Sequence, residues 1–89
     1  MATILVQHKV KNFADWKKEF DSAVEFRTSA GELSAQVYQD AGDPSKVTVV
    51  NKWNSLASAQ KFVQSPELKA AMEKAGVLGL PSISILNEV

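Results

Sequence analysis

The order of strand and helix patterns predicts an α+β protein with a ferredoxin-like βαββαβ sandwich. Two blocks of similar design follow one another, each with a strand pattern, a helix pattern and a second strand pattern. The six segments are 3–10, 12–30, 33–39, 47–53, 55–75 and 82–88. Because crossover connections between strands are right-handed, this order predicts one four-stranded antiparallel sheet with the helices on one face. Eighty-nine residues support one hydrophobic core, so we predict a single domain over 1–89.

The first strand and helix are distinguished by a change in the spacing of apolar residues near Asn12. Residues alternate over 3–10, and the more apolar face carries Ile4, Val6, His8 and Val10. Asn12 suits a helix N-cap, and Asp15 stands at the capping-box position. The apolar stripe of the helix is Phe13, Trp16, Phe20, Ala23 and Val24. Gly31 ends the helix.

Two further strands follow, joined by a turn. Leu33, Ala35 and Val37 alternate with polar residues, and 41–45 contains the glycine, aspartate, proline and serine typical of a tight connection. In the third strand, one face carries Val47, Val49, Asn51 and Trp53. We predict that strands one and three are central, parallel neighbours.

The second helical segment is predicted to be a bent pair of helices. Asn54 or Ser55 can cap the first, and Ser65 followed by Pro66 marks the start of the second, which closes at Gly76. Residues 77–81 form an apolar linker, which we expect to pack over the core or onto another subunit. The last strand follows at 82–88.

The two faces of the predicted sheet differ in character. The set expected to face the helices is Ile4, Val6, Leu33, Val37, Val47, Val49, Ile83 and Ile85. The other face carries Leu5, Tyr38, Val50 and Leu86 among Thr3, Gln7, Gln36, Thr48 and Ser84. That face is too apolar to lie in water, so we predict a homodimer joined through the open sheet face.

Composition excludes several classes of function. Ten basic and ten acidic residues cancel and are dispersed, so we expect no nucleic acid partner. The apolar run 2–6 is too short for a signal peptide or a membrane span, so we expect no membrane association and a cytoplasmic location. The chain has no cysteine and one histidine, so we expect no metal and no cofactor.

Three segments of the chain carry a resemblance to a known family: 10–17 (VKNFADWK), 49–53 (VVNKW) and 65–72 (SPELKAAM). They resemble the antibiotic-biosynthesis-monooxygenase-like group of the dimeric α+β barrel superfamily. The resemblance implies a dimeric α+β barrel and an activity such as cofactor-independent oxygenation of an aromatic or polyketide-like molecule. The haem-degrading members use a tryptophan, a histidine ligand and a strand asparagine; the matching positions here are Phe62, Met72 and near His8. Because a thioether does not replace the imidazole ligand in such a site, we expect no haem degradation.

Three polar residues stand on faces predicted to be apolar, and they form the candidate catalytic site. His8 and Asn51 lie on the helix-facing sides of neighbouring strands, and Arg27 lies within the stripe of the first helix. A buried imidazole with an amide could deprotonate or orient an acidic phenol or enol, while a guanidinium could hold a carboxylate or oxyanion. The predicted pocket wall is Trp16, Phe20, Trp53, Phe62 and Met72.

Structural roles are open for the same residues. His8 and Asn51 would then be hydrogen-bonded core residues, and Arg27 would extend to solvent near the end of its helix. Three functions follow from these alternatives: a small cofactor-independent oxygenase, cyclase or isomerase acting on an aromatic or polyketide-like molecule, a protein that binds such a ligand without chemistry, or a dimerising accessory protein. A cavity between sheet and helices would favour the first two.

Overall fold

The computed structural model describes residues 2–89, which form four strands and four helices. In chain order these are β1 Ala2–Val10, α1 Phe13–Ser22, α2 Val24–Ala30, β2 Glu32–Gln39, β3 Lys46–Trp53, α3 Leu56–Val63, α4 Pro66–Lys74 and β4 Val77–Asn87. The sheet order is β2-β3-β1-β4, and every neighbouring pair is antiparallel. The predicted ferredoxin-like α+β fold is therefore confirmed.

The predicted parallel pairing of strands one and three is wrong. β1 and β3 are central neighbours, but they run antiparallel, with Val6 opposite Val49. The reason lies in the connections. The helical crossover returns the chain parallel to β1 in β2, and the short turn after β2 reverses it, so β3 must oppose both strands.

The first helical segment is two helices rather than the single helix predicted over 12–30. Asn12 caps α1 as expected, since its side chain accepts a hydrogen bond from the Asp15 amide at 3.0 Å. Ala23 then leaves helical geometry with φ −93° and ψ 11°, and α2 begins after it. Gly31 ends α2 with φ 117°. No glycine or proline stands at the break, so the spacing of apolar residues did not reveal it.

The second half follows the predicted bent pair. The Ser55 side chain caps α3, the Ser65 side chain caps α4, and Pro66 is the first residue of α4. The predicted linker 77–81 is instead the start of β4, where Val77 pairs with Val10. The pairing with β1 shifts register between Gln7 and Lys9, and this irregularity lets the apolar run join the sheet.

The core lies between the sheet and the helices. Its buried members are Ala2, Ile4, Val6, Val10, Trp16, Val47, Val49, Trp53, Ala59 and Phe62. Val37, Ile83 and Ile85 pack against this core as predicted. Leu33 does not, because it is 57% exposed. A bulge between Glu32 and Ser34 places an extra residue in β2, so Glu32 points inward in place of Leu33.

All four helices of the described chain lie on the cavity side of the sheet, and none of them covers the opposite face. Leu5 and Val50 are partly buried on it, whereas Tyr38 and Leu86 are about half exposed. Within residues 2–89, no helix is long and apolar enough to cross a membrane.

Candidate functional site

A cavity of about 360 Å³ lies between the two central strands and the helices. Its floor is β1 and β3, and all four helices contribute to its walls. Most of the lining is hydrocarbon, and the volume falls in the range of sites that take small molecules. At the rim, the Lys74 ammonium lies 3.6 Å from the Glu19 carboxylate, which joins α4 to α1.

Four of the five residues predicted to form the pocket wall line this cavity. Trp16 and Phe20 stack with ring centroids 5.0 Å apart, and Phe62 and Met72 lie on other parts of the wall. Trp53 is not in the lining. It is completely buried and packs against Phe62, with ring centroids 4.6 Å apart, so it supports the wall from behind.

His8 lies at one end of the cavity, close to the aromatic pair. Its side chain is buried, and its ring meets Trp16 edge-on with centroids 5.6 Å apart. Its Nδ1 has no hydrogen-bond partner among the described residues. Removal from water lowers the pKa of His8 below 6.5, and the smaller effect of its own backbone acts in the opposite direction. The imidazole is therefore uncharged at neutral pH.

Asn51 belongs to a different cluster from His8, so it is not the hydrogen-bond partner of that imidazole. In the sheet, His8 stands opposite Val47, whereas Asn51 stands opposite Ile4. Four residues of antiparallel strand separate these positions, which is about 13 Å along the sheet. The polar groups thus lie toward two ends of the cavity with an apolar surface between them.

Arg27, Glu32 and Asn51 form a buried hydrogen-bonded cluster. Arg27 Nε donates to both Glu32 carboxylate oxygens, at 3.1 and 3.0 Å, and Asn51 Nδ2 donates to Glu32 Oε2 at 3.0 Å. The guanidinium carbon lies 3.7 Å from the centre of the Phe20 ring, and one terminal nitrogen donates to the Phe20 carbonyl. Arg27 is only 7% exposed, so it does not extend to solvent.

Glu32 is a residue of the site that the sequence analysis did not identify. Strict alternation through Leu33, Ala35 and Val37 placed it outside the sheet core, but the β2 bulge turns it inward opposite Trp53. The clue available in the sequence was Arg27 itself, since a guanidinium within an apolar stripe needs a buried anionic partner.

The structure therefore brings His8, Asn51 and Arg27 to the wall of one cavity. Their chemical roles stay predictions. In residues 2–89, no group of three or more histidine, cysteine, aspartate or glutamate side chains is placed to hold a metal ion.

The family model for antibiotic biosynthesis monooxygenases matches residues 1–74. The match covers most of the chain, and the protein belongs to this family. No curated protein has significant sequence similarity to it.

Several solved structures share the fold. A protein of Bordetella bronchiseptica with the provisional name antibiotic biosynthesis monooxygenase has a TM-score of 0.83 and 16% identity, over 99% of this chain and 96% of its own. A Caulobacter crescentus protein with the same provisional name has a TM-score of 0.77 and 21% identity, over 99% and 89%. SnoaB, a cofactor-independent oxygenase from Streptomyces nogalater, has a TM-score of 0.79 and 10% identity, over 99% and 92%. At these identities the likeness establishes the fold alone.

Proposed function

We propose that this protein binds a small aromatic molecule in the cavity and oxidises it with molecular oxygen, without a cofactor. The observation that carries the proposal is an apolar cavity whose wall includes a buried histidine with an unpartnered Nδ1. Family membership supports it, as does the likeness in fold to a protein named as a cofactor-independent oxygenase.

His8 is the proposed general base. An activated CH₂ group beside an aromatic ring loses a proton to the imidazole, and the resulting carbanion supplies electrons to O₂. The hydroperoxide that forms then loses water, so that CH₂ and O₂ become C=O and H₂O. Trp16 and Phe20 would hold the ring system by stacking. The apolar wall would keep bulk water away from the carbanion.

Oxygen consumption with an anthrone, in buffer containing a chelator, tests the catalytic step. We expect conversion to the quinone with one O₂ consumed per molecule, and loss of at least about 100-fold in kcat for His8→Gln. Unchanged turnover in His8→Gln would remove His8 from the mechanism. Absence of turnover with any of a panel of anthrones and phenols would contradict the oxygenase proposal.

Binding without chemistry is the second candidate, and one observation favours it. Desolvation lowers the pKa of His8, which keeps the ring uncharged but also makes it a weaker base. The open cavity supports either of these two functions over a purely dimerising accessory role, for which side chains would fill the space.

A pair of variants on α4 tests whether the ligand occupies the cavity. Ala71 lines it, whereas its neighbour Ala70 is exposed and does not. Ala71→Phe should fill the space and abolish binding of an aromatic probe, and Ala70→Phe should leave binding unchanged. Equal affinity in the two variants would place the ligand elsewhere.

A further inference from the structure

The positive charge at the Asn51 end of the cavity is already compensated. Arg27 lines the cavity, but its Nε donates to both oxygens of the Glu32 carboxylate, which is only 8% exposed. A guanidinium held this way does not provide the anion site that an unpaired buried arginine would provide. The expectation that Arg27 holds a substrate carboxylate therefore loses its basis.

One acceptor at this end of the cavity, the side-chain oxygen of Asn51, lacks a hydrogen-bond donor in the described part of the chain. Asn51 is 3% exposed, and its Nδ2 donates to Glu32. Its Oδ1 has no partner within residues 2–89, although a buried carbonyl oxygen ordinarily accepts a hydrogen bond. Since Asn51 lines the cavity, a ligand that carries a hydroxyl or N–H group can supply the missing donor.

The rest of the cavity does not favour an anion either. His8 lies in the apolar end and is uncharged at neutral pH. The other charged lining residues are the two carboxylates of Glu19 and Glu67 and the ammonium of Lys74, which pairs with Glu19. Negative charge thus exceeds positive charge at the rim.

Building on the proposed function, we infer that the cavity selects an uncharged ligand that donates a hydrogen bond to Asn51 Oδ1. Glu32 then determines which ligands bind. Its carboxylate compensates the charge of Arg27 and accepts the hydrogen bond from the Asn51 amide nitrogen, which leaves only the amide oxygen of Asn51 for a ligand. Carboxylated aromatic molecules are excluded, since an unpaired carboxylate beside Glu32 would be buried without compensation.

Three bicyclic probes of similar size test the inference on the unaltered protein. Titration at pH 7 with 2-naphthol, naphthalene and 2-naphthoate compares a donor, an apolar ring and an anion. We expect 2-naphthol to bind about 10-fold more tightly than naphthalene, and 2-naphthoate at least about 100-fold more weakly than 2-naphthol. Equal or tighter binding of 2-naphthoate would overturn the inference while leaving small-molecule binding intact. No binding of any probe would overturn both.

Two variants assign the selectivity to residues. Glu32→Gln releases the charge of Arg27, so 2-naphthoate should gain at least about 10-fold in affinity relative to 2-naphthol. The double variant Arg27→Met with Glu32→Gln lacks that charge and should show no such gain. If the affinity for 2-naphthoate rose equally in the single and the double variant, the Arg27–Glu32 ion pair would not be the cause of the selectivity.

Asn51→Leu tests the acceptor independently, including the case in which Glu32→Gln does not fold. Loss of Oδ1 should reduce the ratio of the affinity for 2-naphthol to the affinity for naphthalene to about one. Gln60→Leu, on the exposed side of α3, is the matched control and should keep the full ratio. Retention of the full ratio in Asn51→Leu would overturn the assignment.

Discussion

In the part of the chain that the structure describes, four polar or charged side chains are buried in an otherwise apolar core: His8, Arg27, Glu32 and Asn51. Three of them are hydrogen-bonded to one another in a single cluster, but within residues 2–89 Asn51 Oδ1 and His8 Nδ1 have no partner. Burying such groups lowers stability unless they are paired, so the presence of His8, Arg27 and Asn51 on the wall of one cavity favours a role in ligand binding over a role in folding.

The burial of His8 predicts a pH-dependent stability. Its pKa is lowered in the folded state, so the unfolded chain binds the extra proton first as the pH falls below 6.5. The contribution of the uncharged imidazole is therefore complete above pH 6.5 and is lost as the pH falls through the folded-state pKa. Urea unfolding at a series of pH values should show this loss, and His8→Gln should lack that component. An identical pH profile for the two proteins would contradict the prediction.

The buried ion pair predicts a large stability loss on removal of one partner. Arg27→Met leaves the Glu32 carboxylate buried without its counter-ion, and we expect a loss of about 3–5 kcal/mol in the free energy of unfolding. Lys17→Met is the matched control, because Lys17 pairs with Asp21 at the surface and such pairs contribute about 0.5 kcal/mol or less. Equilibrium denaturation measures both. A loss for Arg27→Met no larger than that of the control would show that the pair does not hold this end of the core.

At the scale of the elements, the sequence predicted those features that depend only on residues adjacent in the chain. The caps at Asn12, Ser55 and Ser65 and the alternation of β1 and β3 all act over a few residues, and the structure confirms them. The β2 bulge and the break at Ala23 depend on tertiary packing and have no local signature. The helix-facing positions of His8, Arg27 and Asn51 followed from the faces of regular elements, whereas the existence of a cavity did not follow from the sequence. The Arg27–Glu32 pair could not be predicted in this way, because Glu32 points inward only as a result of the β2 bulge.

The junction between α2 and β2 depends on Gly31. Its φ of 117° is unfavourable for other residues, and an added Cβ would lie 2.7 Å from Asn54 Oδ1. Gly31→Ala should therefore destabilise the protein by about 1–3 kcal/mol and disturb the approach of Glu32 to Arg27. Gly42→Ala is the control, since its Cβ would meet only Asp40 Oδ2 at an ordinary 3.5 Å, and we expect a change within about 0.5 kcal/mol. Similar melting temperatures for the two variants would contradict this account of the junction.

At the scale of the whole molecule, the sheet has one face under the helices and one without cover. Val50 lies near the middle of the uncovered face, opposite Leu5 on β1 and Gln36 on β2. Tyr38 and Leu86 extend the apolar surface onto the two edge strands. A contiguous apolar surface of this kind on a small domain is typical of an interface.

We propose that two copies of the chain join through this face. A two-fold interface needs a single self-complementary patch, of about 800 Å² on each partner for a standard interface, and a second sheet offers a matching surface. Light scattering at micromolar concentration should give twice the monomer mass of 9.7 kDa. Val50→Glu should give the monomer, because two-fold symmetry would bury two unpaired carboxylates at once. Leu56→Glu replaces an exposed apolar residue on α3, away from the sheet face, and should remain dimeric. A monomeric unaltered protein, or dissociation of both variants, would exclude the sheet face as the dimer interface.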